Sequence, residues 1–192
     1  MADEVDSQKR ALRAELRERR RLRTSTERAA DAAGITQHLI DLASDLHART
    51  VAAYLSLPDE PGTRDFVTWA AENGIRVLLP ISRDDGLLDW TVGEDEIETL
   101  GMHGTPEAAG ELLGPMAIND VDLIIVPAAA IDSTGMRLGW GRGYFDKTLG
   151  SMGKCPPVYA VVFDSEFVEH VPREVHDQAV NGVVTPTRII AF

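Results

Sequence analysis

The spacing of hydrophobic residues along this chain follows two different patterns in turn. Short apolar runs, which predict buried strands, are separated by stretches in which apolar residues recur every three or four positions, as on one face of a helix. The predicted strands cover residues 50–57, 77–81, 87–92, 122–126, 158–163, 182–185 and 189–192. Buried strands that alternate with amphipathic helices are typical of an α/β fold, in which helices cover both faces of a largely parallel sheet.

Helix signals precede the first of these strands and also fall between later ones. Residues 24–27, Thr-Ser-Thr-Glu, have the pattern of a capping box, and Gly74 has the place of a left-handed C-cap. The first predicted helix runs from about Ser7 to Arg23, and the second begins at Thr24. The buried side of the second helix carries Leu39, Ile40, Ala43 and Leu46. A third helix is predicted from Thr63 to about Asn73, and a short fourth helix begins at about Tyr144. Residues 93–115 are acidic and irregular, so we expect a long loop with short helical pieces there.

The length of 192 residues predicts one domain over residues 1–192, onto which a basic helix within residues 1–23 would pack. The longest uncharged apolar run, residues 123–131, is less than half of the ~20 residues that a membrane helix needs, so no membrane partner is expected. The first thirty residues lack the apolar stretch of a secretory signal. Cys155 is the single cysteine, which fits a reducing compartment and favours the cytoplasm.

Charge is unevenly distributed along the chain. The 19 basic and 31 acidic residues give a net charge of −12, which argues against a nucleic-acid partner. Residues 9–28 nevertheless hold nine of the 19 basic side chains. A cationic helix on an acidic body indicates either an anionic ligand held at one place or an arm that docks on its own domain.

A glycine-rich segment follows one of the predicted strand ends. Ligands of parallel sheets bind beyond the carboxyl ends of the strands, which here are followed by loops after Leu57, Val126 and Phe163. The segment after Val126 includes Gly135-Met-Arg-Leu-Gly-Trp-Gly-Arg-Gly-Tyr-Phe-Asp146. Its glycines let backbone N–H groups approach an anion, and its two arginines would neutralise the charge. The spacing matches neither a Walker loop nor a dinucleotide fingerprint, so it predicts phosphate binding in general, with a flexible surface loop as the alternative.

Together with Asp122-Leu-Ile-Ile-Val-Pro127 and Asp132, this glycine segment resembles the signature of the 5-formyltetrahydrofolate cyclo-ligase family. Three further segments resemble that family in order along the chain. They are Lys9-Arg-x-Leu-Arg13, Tyr54-Leu-Ser-Leu-Pro-Asp-Glu60 with Thr63, and Pro172-Arg-Glu-Val-His-Asp177 followed by Val184-Thr185. The resemblance therefore covers nearly the whole chain.

The resemblance implies a three-layer α/β/α fold with a mixed, largely parallel central sheet. It also implies an ATP- and Mg²⁺-dependent enzyme that converts 5-formyltetrahydrofolate to 5,10-methenyltetrahydrofolate, with release of ADP and phosphate. The expected partners are the folate substrate and ATP, and the protein is expected to act as a monomer. A non-catalytic relative that binds nucleotide or folate, and another ATP-dependent enzyme of the same fold, are the alternatives.

The same resemblance assigns candidate site residues. The candidate catalytic residues are Arg142, Lys9 and Arg137. The candidate ATP contacts are Lys9, Arg10, Arg13, Arg137, Leu138, Gly139, Trp140, Gly141, Arg142, Gly143, Tyr144 and Phe145. The candidate folate contacts are Leu55, Glu60, Trp140, Gly141, Arg142, Gly143, Tyr144 and Glu107. The candidate Mg²⁺ ligands are Asp146 and Asp177, since Mg²⁺ prefers oxygen ligands.

Several of these residues have a purely structural alternative. The basic residues of the first helix could form a solvated face, and residues 17–23 could pair with the acidic body. Glu60 could be a loop carboxylate facing water, Trp140 and Tyr144 could be core aromatics, and Asp177 could cap a turn. His176 is interpreted as a structural group or as a group that supports a neighbouring metal ligand, because its spacing from His170 does not suit zinc.

Overall fold

The computed structural model describes residues 2–93, 98–101, 104–153, 155–174 and 177–192. Its α-helices are α1 (Ala2–Arg21), α2 (Ser25–Asp45), α3 (Arg64–Glu72) and α4 (Tyr144–Ser151), and short 3-10 helices lie at Pro115–Asp120 and Asp164–Glu166. Its strands are β1 (Thr50–Ala52), β2 (Arg76–Ser82), β3 (Leu88–Val92), β4 (Glu98–Leu100), β5 (Pro106–Ala108), β6 (Leu112–Leu113), β7 (Leu123–Pro127), β8 (Ala130–Asp132), β9 (Arg137–Leu138), β10 (Val158–Val161), β11 (Phe167–Val168), β12 (Gly182–Val184) and β13 (Ile189–Ala191).

Eight of these strands form one central sheet in the order β13-β12-β10-β7-β1-β2-β3-β6. The five inner strands β12, β10, β7, β1 and β2 pair in parallel. The other three strands pair antiparallel: β13 forms one edge of the sheet, and β3 and β6 follow β2 on the other side, with β6 at the edge. The expectation of a mixed, largely parallel sheet in an α/β fold is confirmed.

Apolar side chains cover both faces of the sheet. In β7, Leu123 and Ile125 belong to a core cluster with residues of α2 and α3, whereas Ile124 and Val126 belong to a cluster with Leu149 of α4. Successive side chains of a strand point to opposite faces, so a strand that is buried on both sides reads as an unbroken apolar run. This packing explains the run that predicted the strand.

The helix signals in the sequence are largely confirmed. Thr24 caps α2 through a capping box, in which Glu27 N–H donates to Thr24 Oγ1 at 3.2 Å and Thr24 N–H donates to Glu27 Oε2 at 2.7 Å. The C-cap of α3 is Asn73, and the next residue, Gly74, has the left-handed φ of +75° that the sequence predicts at this helix end. Helix α1, however, begins at Ala2 rather than near Ser7, so Ser7 lies inside the helix.

Two segments differ from their predicted structure. The strand predicted over residues 50–57 ends at Ala52. Beyond this point the segment forms hydrogen bonds with Thr63: Thr63 Oγ1 donates to Tyr54 O at 2.6 Å, and Thr63 N–H donates to Ser56 Oγ at 3.1 Å. Within residues 93–115, the described parts form strands β4, β5 and β6 instead of the helical pieces that we expected. Pairing of β6 with β3 adds the end of this acidic segment to the edge of the central sheet, whereas β4 and β5 pair with each other in a separate sheet.

Within the described ranges, every helix is either too short or too polar to span a membrane.

Candidate active site

A cavity of about 560 Å³ opens at the carboxyl ends of the parallel strands β1, β2 and β7. It is bounded by the segment after β1, by the ends of β2 and β7, by β5, by one face of α1 and by the loop that leads into α4. The lining includes Arg17, Arg20, Leu55, Glu60, Pro80, Ser82, Glu107, Pro127, Arg137, Gly139, Trp140, Arg142, Gly143, Tyr144, Phe145 and Asp146. The cavity therefore lies where a parallel sheet places its ligands.

A hairpin presents the glycine loop, residues 135–143, to this cavity. Strands β8 and β9 pair antiparallel, and Asp132 organises the turn between them by accepting the N–H groups of Thr134 and Met136. Beyond the hairpin, Gly141 has a φ of +97° and Gly143 a φ of +72°, conformations that favour glycine. Gly143 is also the N-cap of α4, so the loop ends at the positive end of that helix.

Helix α1 docks on the glycine loop through Arg13. The guanidinium Nε of Arg13 donates to Gly139 O at 2.7 Å. A Cβ atom at Gly141 would lie 3.4 Å from Arg13 Cζ, so the guanidinium rests against bare backbone. The contact holds a predicted phosphate-binding cation against the predicted phosphate-binding loop.

Arg137 is buried beside the carboxylate of Asp146. Its Nη2 donates to Asp146 Oδ1 at 2.8 Å, and its side chain is 3% exposed. Burial lowers the pKa of Arg137, although the charges of Asp146 and Asp177 oppose this shift. Its Nε has no hydrogen-bond partner within the described structure, which leaves a buried N–H free to meet an anion.

Lys9 of α1 is held by two carboxylates from the C-terminal part of the chain. Its Nζ lies 2.8 Å from Glu174 Oε2 and 2.7 Å from Asp177 Oδ2. Burial alone would lower the pKa of Lys9, but the hydrogen bonds to Asp177 and Glu174 outweigh it, and the pKa is raised. Val175 and His176, which lie between these carboxylates in sequence, are outside the described residues. The interpretation of His176 as a structural or supporting group therefore stays a prediction.

The residues present fit a Mg²⁺ ion that is held mainly by phosphate and water. Across the described ranges, no three His, Cys, Asp or Glu side chains come together as a metal cluster. Mg²⁺ commonly uses only one or two carboxylates together with substrate phosphates. Asp146 accepts from Arg137 through Oδ1, which leaves its second oxygen for a cation.

Two carboxylates lie on the other walls of the cavity. Glu60 Oε2 accepts the N–H of Leu57 at 2.9 Å, and burial raises the pKa of Glu60. Glu107 Oε1 accepts the N–H of Ser82 at 2.8 Å, and the residue is 9% exposed. The half-buried Leu55 supplies apolar surface to the same cavity. Glu60 is thus held at the cavity wall rather than extended into water.

The aromatic side chains of the loop are fixed by contacts outside it. Tyr144 donates its hydroxyl to Arg83 O at 3.2 Å, which ties α4 to the β2–β3 turn. The Trp140 ring faces two cations of α1, with Arg20 Cζ at 4.7 Å and Arg17 Cζ at 5.2 Å from its centroid. Both rings line the cavity, so neither is a core aromatic remote from the site.

With this geometry established, comparisons with known proteins identify the family. The profile of the 5-formyltetrahydrofolate cyclo-ligase family matches residues 5–186. The chain belongs to this family. A 5-formyltetrahydrofolate cyclo-ligase of Mycolicibacterium smegmatis is 36% identical over 148 residues, which cover 74% of this chain and 76% of the relative. The Escherichia coli (strain K12) enzyme of the same name is 27% identical over 179 residues, which cover 91% of this chain and 98% of the relative.

A solved structure supports the same fold. The solution structure of a 5,10-methenyltetrahydrofolate synthetase from Aquifex aeolicus superposes with a TM-score of 0.79. Its sequence is 24% identical, and the match covers 95% of this chain and 92% of that one. The fold expected from the family resemblance is therefore the fold of the protein.

The structure does not bring every residue predicted from the family resemblance to the cavity. Lys9, Arg13, Gly141 and Asp177 do not line the cavity. Lys9, Arg13 and Asp177 instead make the contacts described above. Arg10 is exposed and forms an ion pair with Asp6. Leu138 is buried in a cluster with Leu16 of α1, so only its backbone is available to a ligand.

Some residues of the cavity wall in this cyclo-ligase family member are not among the candidates predicted from its sequence. Pro80 and Ser82 line the cavity from the end of β2, a strand end that our loop prediction omitted. The apolar run that predicts a strand over residues 77–81 is the signal from which this strand end could have been found. Arg20 of α1 also lines the cavity, and its ion pair with Glu166 spans 146 positions, which no local pattern could reveal.

Proposed function

We propose that this protein converts 5-formyltetrahydrofolate and ATP to 5,10-methenyltetrahydrofolate, ADP and phosphate. The observation that carries the proposal is a single cavity at the carboxyl ends of the parallel strands, lined on different walls by Glu60 and by the arginines of the glycine loop. Family membership gives the reaction type, and this cavity offers one place for both reactants.

The chemistry requires an oxygen that is a poor leaving group to be activated. In the proposed reaction, the formyl oxygen of the substrate attacks the γ-phosphorus of ATP, and ADP leaves. N10 of the folate then attacks the one-carbon centre and loses its proton, and the former formyl oxygen departs as phosphate. Phosphoryl transfer depends chiefly on positioning and on cations that stabilise negative charge, so the protein need not supply a nucleophile.

Four cations in or beside the glycine loop are proposed to hold the nucleotide phosphates. Lys9 and Arg13 approach from α1, and Arg137 and Arg142 belong to the loop itself. Arg142 is exposed at the cavity and forms no hydrogen bond or ion pair with another described residue, so its guanidinium is available to a phosphoryl group. We assign Arg142, Lys9 and Arg137 to the stabilisation of the transferred group.

Asp146 and Asp177 are proposed to face the metal ion, directly or through water. When bound, Mg²⁺ would neutralise phosphate charge during transfer. Asp146 also orients Arg137, and Asp177 orients Lys9, so each carboxylate keeps a predicted phosphate-binding cation in place.

The folate is proposed to bind on the wall formed by the segment after β1. Glu60 would accept hydrogen bonds from the pterin ring, with Leu55 as the apolar surface beside it. Trp140 and Tyr144 would close over the ring from the glycine loop, and Glu107 would contact the same ligand from β5.

The direct test is product absorbance in a mixture of protein, 5-formyltetrahydrofolate, ATP and Mg²⁺. We expect methenyl product to form only in the complete mixture, with one ADP released for each product. Omission of ATP and addition of a metal chelator are the controls. Failure of well-folded protein to form product would reject the activity.

A thermal-shift panel separates the enzyme from a non-catalytic relative. Ligands that bind the folded state raise the melting temperature by mass action, so both folate and nucleotide should do so here. The presence of the loop arginines Arg137 and Arg142 and of the candidate metal ligands Asp146 and Asp177 favours the enzyme. Binding of both ligands without turnover would support the alternative.

We further propose that the chain acts in the cytoplasm as a monomer, with residues 1–192 forming one domain. One chain supplies every wall of the cavity described above, and α1 is tied to the body through buried ion pairs. Cys155 is a free, exposed thiol, which suits a reducing compartment. Light scattering during size-exclusion chromatography, with and without nucleotide, tests the oligomeric state.

A further inference from the structure

Arg20 has no part in the function proposed above, yet it is a buried cation at the cavity. It lies near the end of α1, and 3% of the residue is exposed. Its Nε donates to Glu166 Oε1 at 2.7 Å, and its Nη2 donates to Glu166 Oε2 at 2.9 Å and to Ala128 O at 2.9 Å. Such a bidentate ion pair fixes the plane of the guanidinium as well as its position.

These partners come from two neighbouring strand ends. Ala128 directly follows β7, and Glu166 lies in the 3-10 helix that follows β10. Glu166 is itself fixed, since its Oε2 accepts the N–H of Phe163 at 2.9 Å and the residue is 2% exposed. Arg20 therefore joins α1 to the part of the sheet that forms the floor of the site.

The fixed guanidinium lies against the ring of Trp140. Arg20 Cζ is 4.7 Å from the ring centroid, within the range of a cation–π contact. The indole Nε1 of Trp140 has no hydrogen-bond partner within the described structure. The ring packs against the apolar cluster that includes Leu16 and Leu138, and it also meets the two cations of α1. Arg20 is the better anchored of these two cations, because Arg17 has no described ion pair.

We propose that Arg20, paired with Glu166, is a positioning residue that holds the Trp140 ring as a wall of the folate pocket. The part concerning folate rests on the proposed function. Arginine suits this role because its planar, delocalised cation can bind a carboxylate in a bidentate manner and stack on an aromatic ring at the same time. Lysine offers a point charge that cannot do both.

The electrostatics of the pocket agree with this role. Burial raises the pKa of Glu60; the charge of Arg20 lowers that pKa and the charge of Glu166 raises it. As a pair, the two charges oppose each other at Glu60. Loss of Arg20 alone would leave a second carboxylate acting on the residue proposed to meet the pterin ring.

The test must separate positioning from stability. Arg20→Met leaves Glu166 buried without its cation, so this variant is expected to be less stable. Arg20→Met/Glu166→Gln removes both charges, and the glutamine carbonyl can still accept the Phe163 N–H. Arg20→Lys keeps the charge but not the bidentate geometry. Arg19→Met is the matched control, because Arg19 is exposed on the same helix and pairs only with Glu15 within the described structure.

Steady-state kinetics give the first measurement. In Arg20→Met/Glu166→Gln we expect KM for 5-formyltetrahydrofolate to rise about tenfold, equivalent to ~1.4 kcal/mol, because the ring loses the anchored cation that orients it. KM for ATP and kcat should change by less than about twofold, since the phosphate-binding groups are untouched. Arg20→Lys should be intermediate, and Arg19→Met should match the unmodified protein.

Tryptophan emission gives a second measurement that does not depend on turnover. The contribution of Trp140 is the difference between each protein and the same protein carrying Trp140→Phe. In Arg20→Met/Glu166→Gln we expect this contribution to shift to longer wavelength and to be quenched more readily by acrylamide. In a Trp140→Ala background, the effect of the Arg20 change on KM should disappear.

The outcomes are distinguishable. A stable Arg20→Met/Glu166→Gln protein with unchanged KM and unchanged Trp140 emission would show that the ion pair serves stability alone and would overturn the proposal. If the unmodified protein forms no methenyl product, the proposed function fails. In that case the Trp140 emission still decides whether Arg20 holds the ring, and an unchanged emission overturns that part as well.

Discussion

Lys9 Nζ lies 2.7 Å from Asp177 Oδ2, although 168 positions separate the two residues in the chain. The bond joins α1 to the C-terminal segment. Glu174 completes the arrangement at 2.8 Å from the same ammonium group. A cation expected to meet the nucleotide and a carboxylate expected to meet the metal are therefore paired with each other.

Replacement of Lys9 by methionine should affect both stability and nucleotide binding. Two partly buried carboxylates would lose their common cation, so we expect the free energy of unfolding to fall by about 1–2 kcal/mol. The affinity for ATP should fall about tenfold with the loss of one phosphate contact. Urea unfolding and calorimetric titration measure these effects, with Arg19→Met as the control. An unchanged ATP affinity would remove Lys9 from the nucleotide site.

The Lys9 contribution to stability should also depend on pH. Because the folded-state pKa is raised above its ordinary value of 10.5, the contribution is fully present below that value and is lost as pH rises through the folded pKa. The stability difference between the unmodified protein and Lys9→Met should therefore be constant at neutral pH and shrink only at strongly alkaline pH.

Asp132→Asn should weaken the hairpin that supports the glycine loop. Burial by itself would raise the pKa of Asp132, but hydrogen bonds from Thr134, Val171 and Met136 outweigh it, and the pKa is lowered. An asparagine NH₂ group would face some of these donors. We expect a loss of about 2 kcal/mol in the free energy of unfolding at neutral pH.

The pH dependence of this variant provides its own check. A lowered folded-state pKa gives stability that is present above the ordinary value of 3.8 and is lost as pH falls through the folded value. Urea unfolding between neutral and strongly acidic pH should show the two proteins converging at the acidic end. A stability gap that stays constant over that range would contradict the assignment.

Gly141→Ala should disturb the nucleotide site. At φ +97° an alanine is strained by roughly 1–2 kcal/mol, and relief of that strain would move the backbone N–H groups of the loop. We expect KM for ATP to rise about tenfold. Gly153→Ala is the control, since that glycine has open space for a Cβ atom and no positive φ. Equal behaviour of the two variants would show that the loop conformation is not required.

Arg142→Ala should impair phosphoryl transfer without harming the fold. The side chain is exposed and has no hydrogen-bond or ion-pair partner among the described residues, so the free energy of unfolding should change by less than about 0.5 kcal/mol. The single-turnover rate should fall about a hundredfold if the guanidinium stabilises the transferred group. Arg76→Ala is the control, because Arg76 lies at the start of β2, whereas the other end of that strand lines the cavity. An unaltered single-turnover rate together with an unaltered nucleotide affinity would remove Arg142 from the mechanism.

Much of the architecture follows from local patterns in the sequence. The apolar run in β7 predicts a strand buried on both faces, because alternate side chains of that strand must both find apolar neighbours. The capping box at Thr24 fixes the start of α2 through contacts within four residues. The glycines at 141 and 143 mark a backbone that other residues rarely adopt. These signals are short-range, so no knowledge of the fold is needed to interpret them.

The tertiary structure alone decided how distant residues meet in the site. Whether α1 forms a solvated face or an arm docked on the protein depended on Glu166, Glu174 and Asp177, which lie more than one hundred positions away. The end of the strand after Ala52 was likewise set by hydrogen bonds to Thr63 rather than by the apolar pattern of residues 53–57. Ion pairs and side-chain hydrogen bonds act over a few ångströms in space and leave no period in the sequence. The chain therefore specifies its elements locally, but the partners of its buried charges are settled only when those elements pack together.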